Sequence, residues 1–152
     1  MKTLANIPDL VSIRVRFAGL TPNDKAAWGS MAVAQMVCHC TDAFLLPLGE
    51  RQAERAKTPP IPLSLYKWLA LKAPMQWPHG VPSVPEMIQG MGGTPPTDFT
   101  ADRVALLRVL DRFAEKRGRD WPQHPSFGDM TEADWLRWGY LHSDHHLRQF
   151  GR

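Results

Sequence analysis

Near the end of the chain, the run Tyr140-Leu141-His142-Ser143-Asp144-His145-His146-Leu147-Arg148-Gln149 sets two histidines four positions apart. In a helix that spacing leaves His142 and His146 about 40° apart and one turn from each other, so both imidazoles serve one face. Two nitrogens on one face can reach a single metal ion. His39 lies in an earlier stretch of helical pattern, flanked by small residues. Three inward imidazoles drawn from two helices would leave Zn²⁺, Ni²⁺ or Fe²⁺ with open coordination positions. A thiol or water held there would lose its proton more readily. The zinc-protease pattern is absent, because Ser143 stands where that chemistry needs a glutamate base.

The neighbours of these histidines follow from the same geometry. With His142 as zero on the last helix, Trp135, Gly139, His146 and Gln149 fall within about 60° of it. Arg137, Asp144 and Arg148 occupy the opposite arc, which predicts a charged arc in water and histidines turned inward. His145 sits at the margin and is the weaker ligand candidate. On the earlier helix, Ala32, Met36 and Ala43 share the face of His39, with Gln35 beside them. Small side chains there suit a cavity better than a filled core layer. Gln35 and Gln149, each a turn from a histidine, are candidates to orient a bound group or support a ligand, with structural packing as their alternative. Asp42 is either an acceptor for the free N–H of His39 or a solvated surface carboxylate. Trp135 and Trp138 flank the histidine face and Trp28 opens the earlier helix, as pocket wall or as aromatic core. Cys38 and Cys40 point about 160° apart on a helix. They cannot pair, nor join His39 at one metal, and read as buried thiols acting as small apolar residues.

The elements that must position these residues are helical. Leu10, Ile13 and Phe17 recur at helical spacing after Pro8-Asp9, with Gly19 as a stop. Thr21-Pro22-Asn23-Asp24 resembles a helix start, and an apolar helical pattern runs from Ser30 to Leu46. A third long helix is expected over about Thr100 to Arg117 on Val104, Leu107, Leu110 and Ala114, closed by Gly118. A last one is expected from Thr131, where Thr131-Glu132-Ala133-Asp134 imitates a capping box, to Phe150. Ten of the fourteen prolines fall between Pro47 and Pro96, so no long helix can cross that stretch. One short helix from Leu63 to Lys72 would pack through Leu65, Trp68 and Leu69. Gly90-Met91-Gly92-Gly93 reads as turn chemistry, since no strand precedes it and no Lys-Ser/Thr follows. The economical fold is all-α: a four-helix bundle in one domain over 1–152, with a long proline-rich crossover between helices 2 and 3.

Composition narrows the function classes. The chain has 152 residues, 43% hydrophobic and 22% charged, with a formal net charge of +3. The basic residues are scattered. Arg103, Arg108, Arg112, Lys116 and Arg117 interleave with Asp102, Asp111 and Glu115, the pattern of a solvated face rather than a nucleic-acid surface. No stretch approaches a membrane span, and Pro8-Asp9 interrupts any signal-like apolar core. A cytoplasmic protein without nucleic-acid or membrane partners is expected.

Three segments carry a resemblance: Trp28-Gly29-Ser30-Met31-Ala32-Val33-Ala34-Gln35-Met36-Val37-Cys38-His39, then His124-Pro125-Ser126-Phe127-Gly128-Asp129-Met130-Thr131-Glu132-Ala133-Asp134-Trp135, and His142 through Gly151. They resemble the DinB/YfiT-like superfamily, closest to a bacterial branch of unknown function. The resemblance implies a four-helix bundle with a three-histidine divalent metal site, matched here by His39, His142 and His146. It also implies a homodimer; it supplies no reaction, since some members are thiol-dependent S-transferases or isomerases using low-molecular-weight bacterial thiols and many have no known activity. Because a metal with open positions activates a bound thiol or water, the expected function is metal-dependent thiol S-transfer or hydrolysis of a small-molecule substrate. The alternatives are a non-catalytic metal or small-ligand binding module, and a structural bundle with hydrogen-bonded core histidines.

Overall fold

The computed structural model describes residues 1–118 and 120–152, and they are all-helical, with five α-helices and a 3₁₀ turn at Pro85–Met87. Among the described residues there is no strand, only the isolated main-chain bridges Gln89–Gly93 and His124–Gly128. No helix among them is long and apolar enough to cross a membrane. Helix α1 spans Ile7–Ala18, α2 Val33–Leu45, α3 Leu63–Leu71, α4 Phe99–Glu115 and α5 Glu132–Gln149.

Local chemistry sets most of the boundaries. Pro8 sits in the first turn of α1, where its missing N–H costs nothing. The Asp98 carboxylate accepts the Ala101 N–H at 2.7 Å to open α4. Thr131 and Asp134 exchange hydrogen bonds as a capping box at the start of α5, as the sequence pattern predicts. Helix α2 begins three residues later than expected: Gly29 takes a positive φ of 75°, and the Gln35 side chain reaches back to the Ala32 N–H at 2.8 Å. The Thr21–Asp24 motif closes a turn and starts no helix. There the Asp24 carboxylate accepts from the Thr21 N–H and hydroxyl, and pairs with Arg152.

Helix α2 packs on α4, and α1 packs on both α4 and α5. Helix α5 also touches α2 and α3. The core between them is aromatic and aliphatic, with Phe17, Phe44, Leu106, Leu110, Phe113, Trp135 and Leu136 essentially without solvent contact. Burial of such side chains stabilises by roughly 1.5–3 kcal/mol each before the entropy of ordering them is subtracted.

Three packing expectations are overturned. The arc of Arg137, Asp144 and Arg148 does not lie in open water. Asp144 is clasped by Arg16 at 2.8 Å and Arg148 at 2.9 Å, while Arg137 donates to the carbonyls of Leu71 at 3.0 Å and Lys2 at 2.6 Å. With α1, α2 and α3 around it, α5 is covered on nearly every side, and its charges are satisfied inside the fold. On α4 it is Leu106, Val109 and Phe113 that join Leu110 and Ala114 in the core, whereas Val104 is exposed. On α3 only Leu71 is buried; Leu65, Trp68 and Leu69 are exposed. Among the described residues this nine-residue helix in a proline-rich connection packs mainly on α5, and Leu65 and Trp68 are left exposed.

Gly139 is the tightest point of this packing. A Cβ there would lie 2.5 Å from Phe113 Cε1 and 2.8 Å from Leu4 Cδ1. Gly139→Ala should therefore destabilise the protein despite the better helix propensity of alanine, by about 1–3 kcal/mol. Chemical denaturation of the two proteins decides this, and equal or greater stability of the variant would contradict the packing described.

Candidate metal centre

His39 projects from the middle of α2, and His142 and His146 from successive turns of α5. Although they come from helices distant in the chain, one nitrogen of each lies within 4.8 Å of the others. All three rings are buried. The Nε2 atoms of His39 and His142 approach to 3.2 Å, and the His146 ring lies edge-on to both.

Second partners fix which nitrogens are free. The His39 Nδ1–H donates to the Met87 carbonyl at 3.0 Å, so its Nε2 carries a lone pair. The Gln149 Nε2 donates to the Trp28 carbonyl at 2.8 Å, which leaves its Oε1 to accept from His146 Nδ1–H at 3.0 Å. His146 Nε2 is thereby also a lone-pair nitrogen. This relay of carbonyl or amide behind imidazole is the arrangement that orients metal-ligating histidines. His142 is held differently: its ring stacks on Trp138 at 4.9 Å and 15°, and its Nδ1 is buried with no hydrogen-bond partner. Gly29 enters here too, because a Cβ at that position would sit 3.0 Å from the Gln149 amide nitrogen.

Electrostatics keep the cluster uncharged. Burial pushes His39 below its ordinary pKa, only partly offset by Met87 and Asp42. Burial, reinforced by the mutual repulsion of the imidazoles, pushes His142 and His146 well below the ordinary range. Neutral imidazoles converging through lone pairs form a donor set for a borderline divalent cation, and the residues present fit such an ion.

The cluster forms the floor of a cavity of about 470 Å³. Trp77, Trp138, Phe127, Met87 and Leu69 wall it, and His124 and His145 also border it. His145 is half-buried, its Nδ1 lacks a partner, and Trp77, His79 and Trp28 crowd around its ring. Trp28 itself stacks flat on His79 at 3.9 Å. It lies before α2 rather than opening it.

Other sequence-derived candidates lie elsewhere. Trp135 is wholly buried against Trp121 and His124 and is core, not cavity wall. It shares the azimuth of His142 but sits seven residues away, about 10.5 Å along the axis. Gln35 caps α2 and hydrogen-bonds Gln89, away from the imidazoles. Asp42 is neither of the two things expected of it. It is 1% exposed and accepts from Arg51 at 2.8 Å and from the Thr94 N–H and hydroxyl at 2.8 and 2.7 Å. Cys38 and Cys40 are free and buried, and burial raises both thiols, Cys38 to about 11. What sequence reasoning missed is the 77–87 segment, which brings Trp77, His79 and the Met87 carbonyl over the site. Of these, only the aromatic types were visible signals; a carbonyl acceptor leaves none.

His124 offers a test of the desolvated wall. Burial lowers its pKa from 6.5 to about 3, and its Nδ1 accepts the Ser126 N–H at 3.0 Å. A base whose folded pKa is depressed adds nothing unfavourable above the unfolded value. It costs stability as pH falls from about 6.5 towards about 3, because the unfolded chain takes the proton first. His124→Gln should flatten the loss of unfolding free energy over that window by up to about 1.4 kcal/mol per pH unit. Denaturant titrations at a series of pH values measure the slope; an unchanged slope would mean that His124 is hydrated.

Residues 78–152 match the sequence model of a family described as a protein of unknown function, DUF1569. That span includes α4, α5 and two of the three clustered histidines, while His39 lies outside it. No curated protein and no solved structure matches the chain.

Proposed function

We propose that the protein holds a divalent metal ion through His39, His142 and His146 and acts on a small molecule in the cavity above it. The observation that carries this reading is the convergence of three neutral, buried imidazoles, two of them with their second N–H already engaged. When bound, the ion would supply Lewis acidity, lowering the pKa of a thiol or water brought to it. The chain's own residues perform the positioning. Met87 and Gln149 set the ring orientation of His39 and His146, Trp138 braces His142, and the aromatic wall excludes bulk water.

The fold we favour is a four-helix bundle of α1, α2, α4 and α5, with the 47–99 connection as a crossover that roofs the site. The helix contacts described above support it, as does the DinB/YfiT-like resemblance of the segments around His39, His124 and His142. The reaction we favour is a metal-dependent thiol S-transfer or hydrolysis, through activation of a thiol or water at the three-histidine site. A second reading, a metal or small-ligand carrier without turnover, is favoured by the sparse proton acceptors: among the described residues no carboxylate or lysine borders the cavity, and of the two wall histidines outside the cluster His124 already accepts the Ser126 N–H, which leaves His145.

Elemental analysis of protein purified under metal-replete conditions should find about one divalent ion per chain. His39→Ala, His142→Ala and His146→Ala should each lose most of it, and Gln149→Leu should weaken retention about 10–100-fold through the freed His146 N–H. Metal-free wild-type protein under those conditions would end both metal readings. Turnover of bacterial thiols with electrophiles, abolished by chelator and restored by metal, separates the enzyme from the carrier.

A further inference from the structure

The cavity carries more information than its floor. Its wall is built from aromatic, aliphatic and proline side chains, and no residue bearing a formal charge borders it among the described residues. Its polar wall groups are few and neutral. Gln76 is engaged by Arg148 at 2.8 Å, and His124 is kept unprotonated by burial. The polar end is the imidazole floor. A volume of about 470 Å³ lies within the range of sites that hold drug-sized molecules.

The mouth repeats the pattern. Ile61, Leu69, Met75 and Val81 all line the cavity, yet they are 38%, 36%, 61% and 59% exposed. Single apolar residues in water are ordinary, but four around one opening form a contiguous apolar collar. An ionised group held against this wall and mouth, away from the floor, would surrender its hydration and meet no counter-charge.

We propose that the cavity selects an uncharged, mainly aromatic or alicyclic molecule, its single polar group directed at the three imidazoles and its apolar body against Trp77, Trp138 and Leu69. This deepens the reading of the metal centre as a substrate site, on which the direction of the polar group rests; the selection against charge rests on the wall alone. A thiol bearing carboxylates would have to leave them in solvent beyond the collar.

The test uses calorimetric titration of the full chain, metal-replete and chelator-treated, with a naphthyl methanol. Its comparison is the same compound carrying a carboxylate at the far end of the ring system. The neutral alcohol should bind saturably to both preparations, and the carboxylate at least about tenfold more weakly. Leu69→Asp, on an exposed helical position that tolerates a charge, should weaken the neutral alcohol about tenfold, whereas Leu69→Met should not. The proposal is overturned if the carboxylate binds as well as the alcohol, if the alcohol does not bind, or if Leu69→Asp leaves its affinity unchanged. Wild-type protein that takes up no metal under replete conditions yet binds the alcohol would support this proposal and end the metal reading alone. A protein that carries its ion but ignores the neutral probe does the reverse.

Discussion

Imidazoles cannot be gathered away from water without deciding where their protons and lone pairs go. In this protein two of the three rings have that decision made for them from behind, by a main-chain carbonyl and by a glutamine that is itself anchored. Their remaining nitrogens are acceptors turned towards one another in a site too dry to protonate. The third ring, His142, has no partner on Nδ1, so its Nε2 can hold the proton and donate to His39 at 3.2 Å, or give up that position to a cation. The rest of the molecule can be understood as the apparatus that keeps these rings in place.

That apparatus has three parts. Helix α5 is surrounded by other elements, so the rings at 142 and 146 ride on a support with little freedom to roll. The contact of Gly139 with Phe113 and Leu4 sets how deeply that helix sits. The stack of Trp138 on His142 replaces a hydrogen bond with a flat aromatic surface. The last two parts are apolar, while the outer side of α5 is fastened by Arg16 and Arg148 on Asp144 and by Arg137 on the Leu71 and Lys2 carbonyls.

Much of this could be read in the chain because it depends on local periodicity. The spacing of His142 and His146, the capping box at Thr131 and the proline barrier after Pro47 each act within a few residues. What could not be read depends on neighbours far along the chain. The charges of Arg137 and Asp144 look like a water-facing arc on a wheel, but the wheel does not know that α1, α3 and the N-terminal segment will lie over them. Trp135 has the right angle and the wrong height, a distinction that azimuth alone cannot make. Trp68 is a large apolar residue at a packing position of its own helix, and nothing packs there. Asp42 looked like surface or a histidine acceptor; its true partners, Arg51 and Thr94, are contributed by the connection whose path the sequence left open.

That last carboxylate has a mechanical consequence. Asp42 fastens Arg51 and Thr94 to the same spot on α2, and Arg51 also donates to the carbonyls of Glu86 and Gly92. The connection is thus tethered at its departure, at its return and just behind Met87. The stretch around Trp77 is fastened as well, by the Trp77 indole N–H on the Ala70 carbonyl at 2.7 Å, by Arg148 on Gln76 and by the stack of His79 on Trp28. One buried carboxylate outside the cluster thereby secures the segment whose carbonyl aligns the His39 ring.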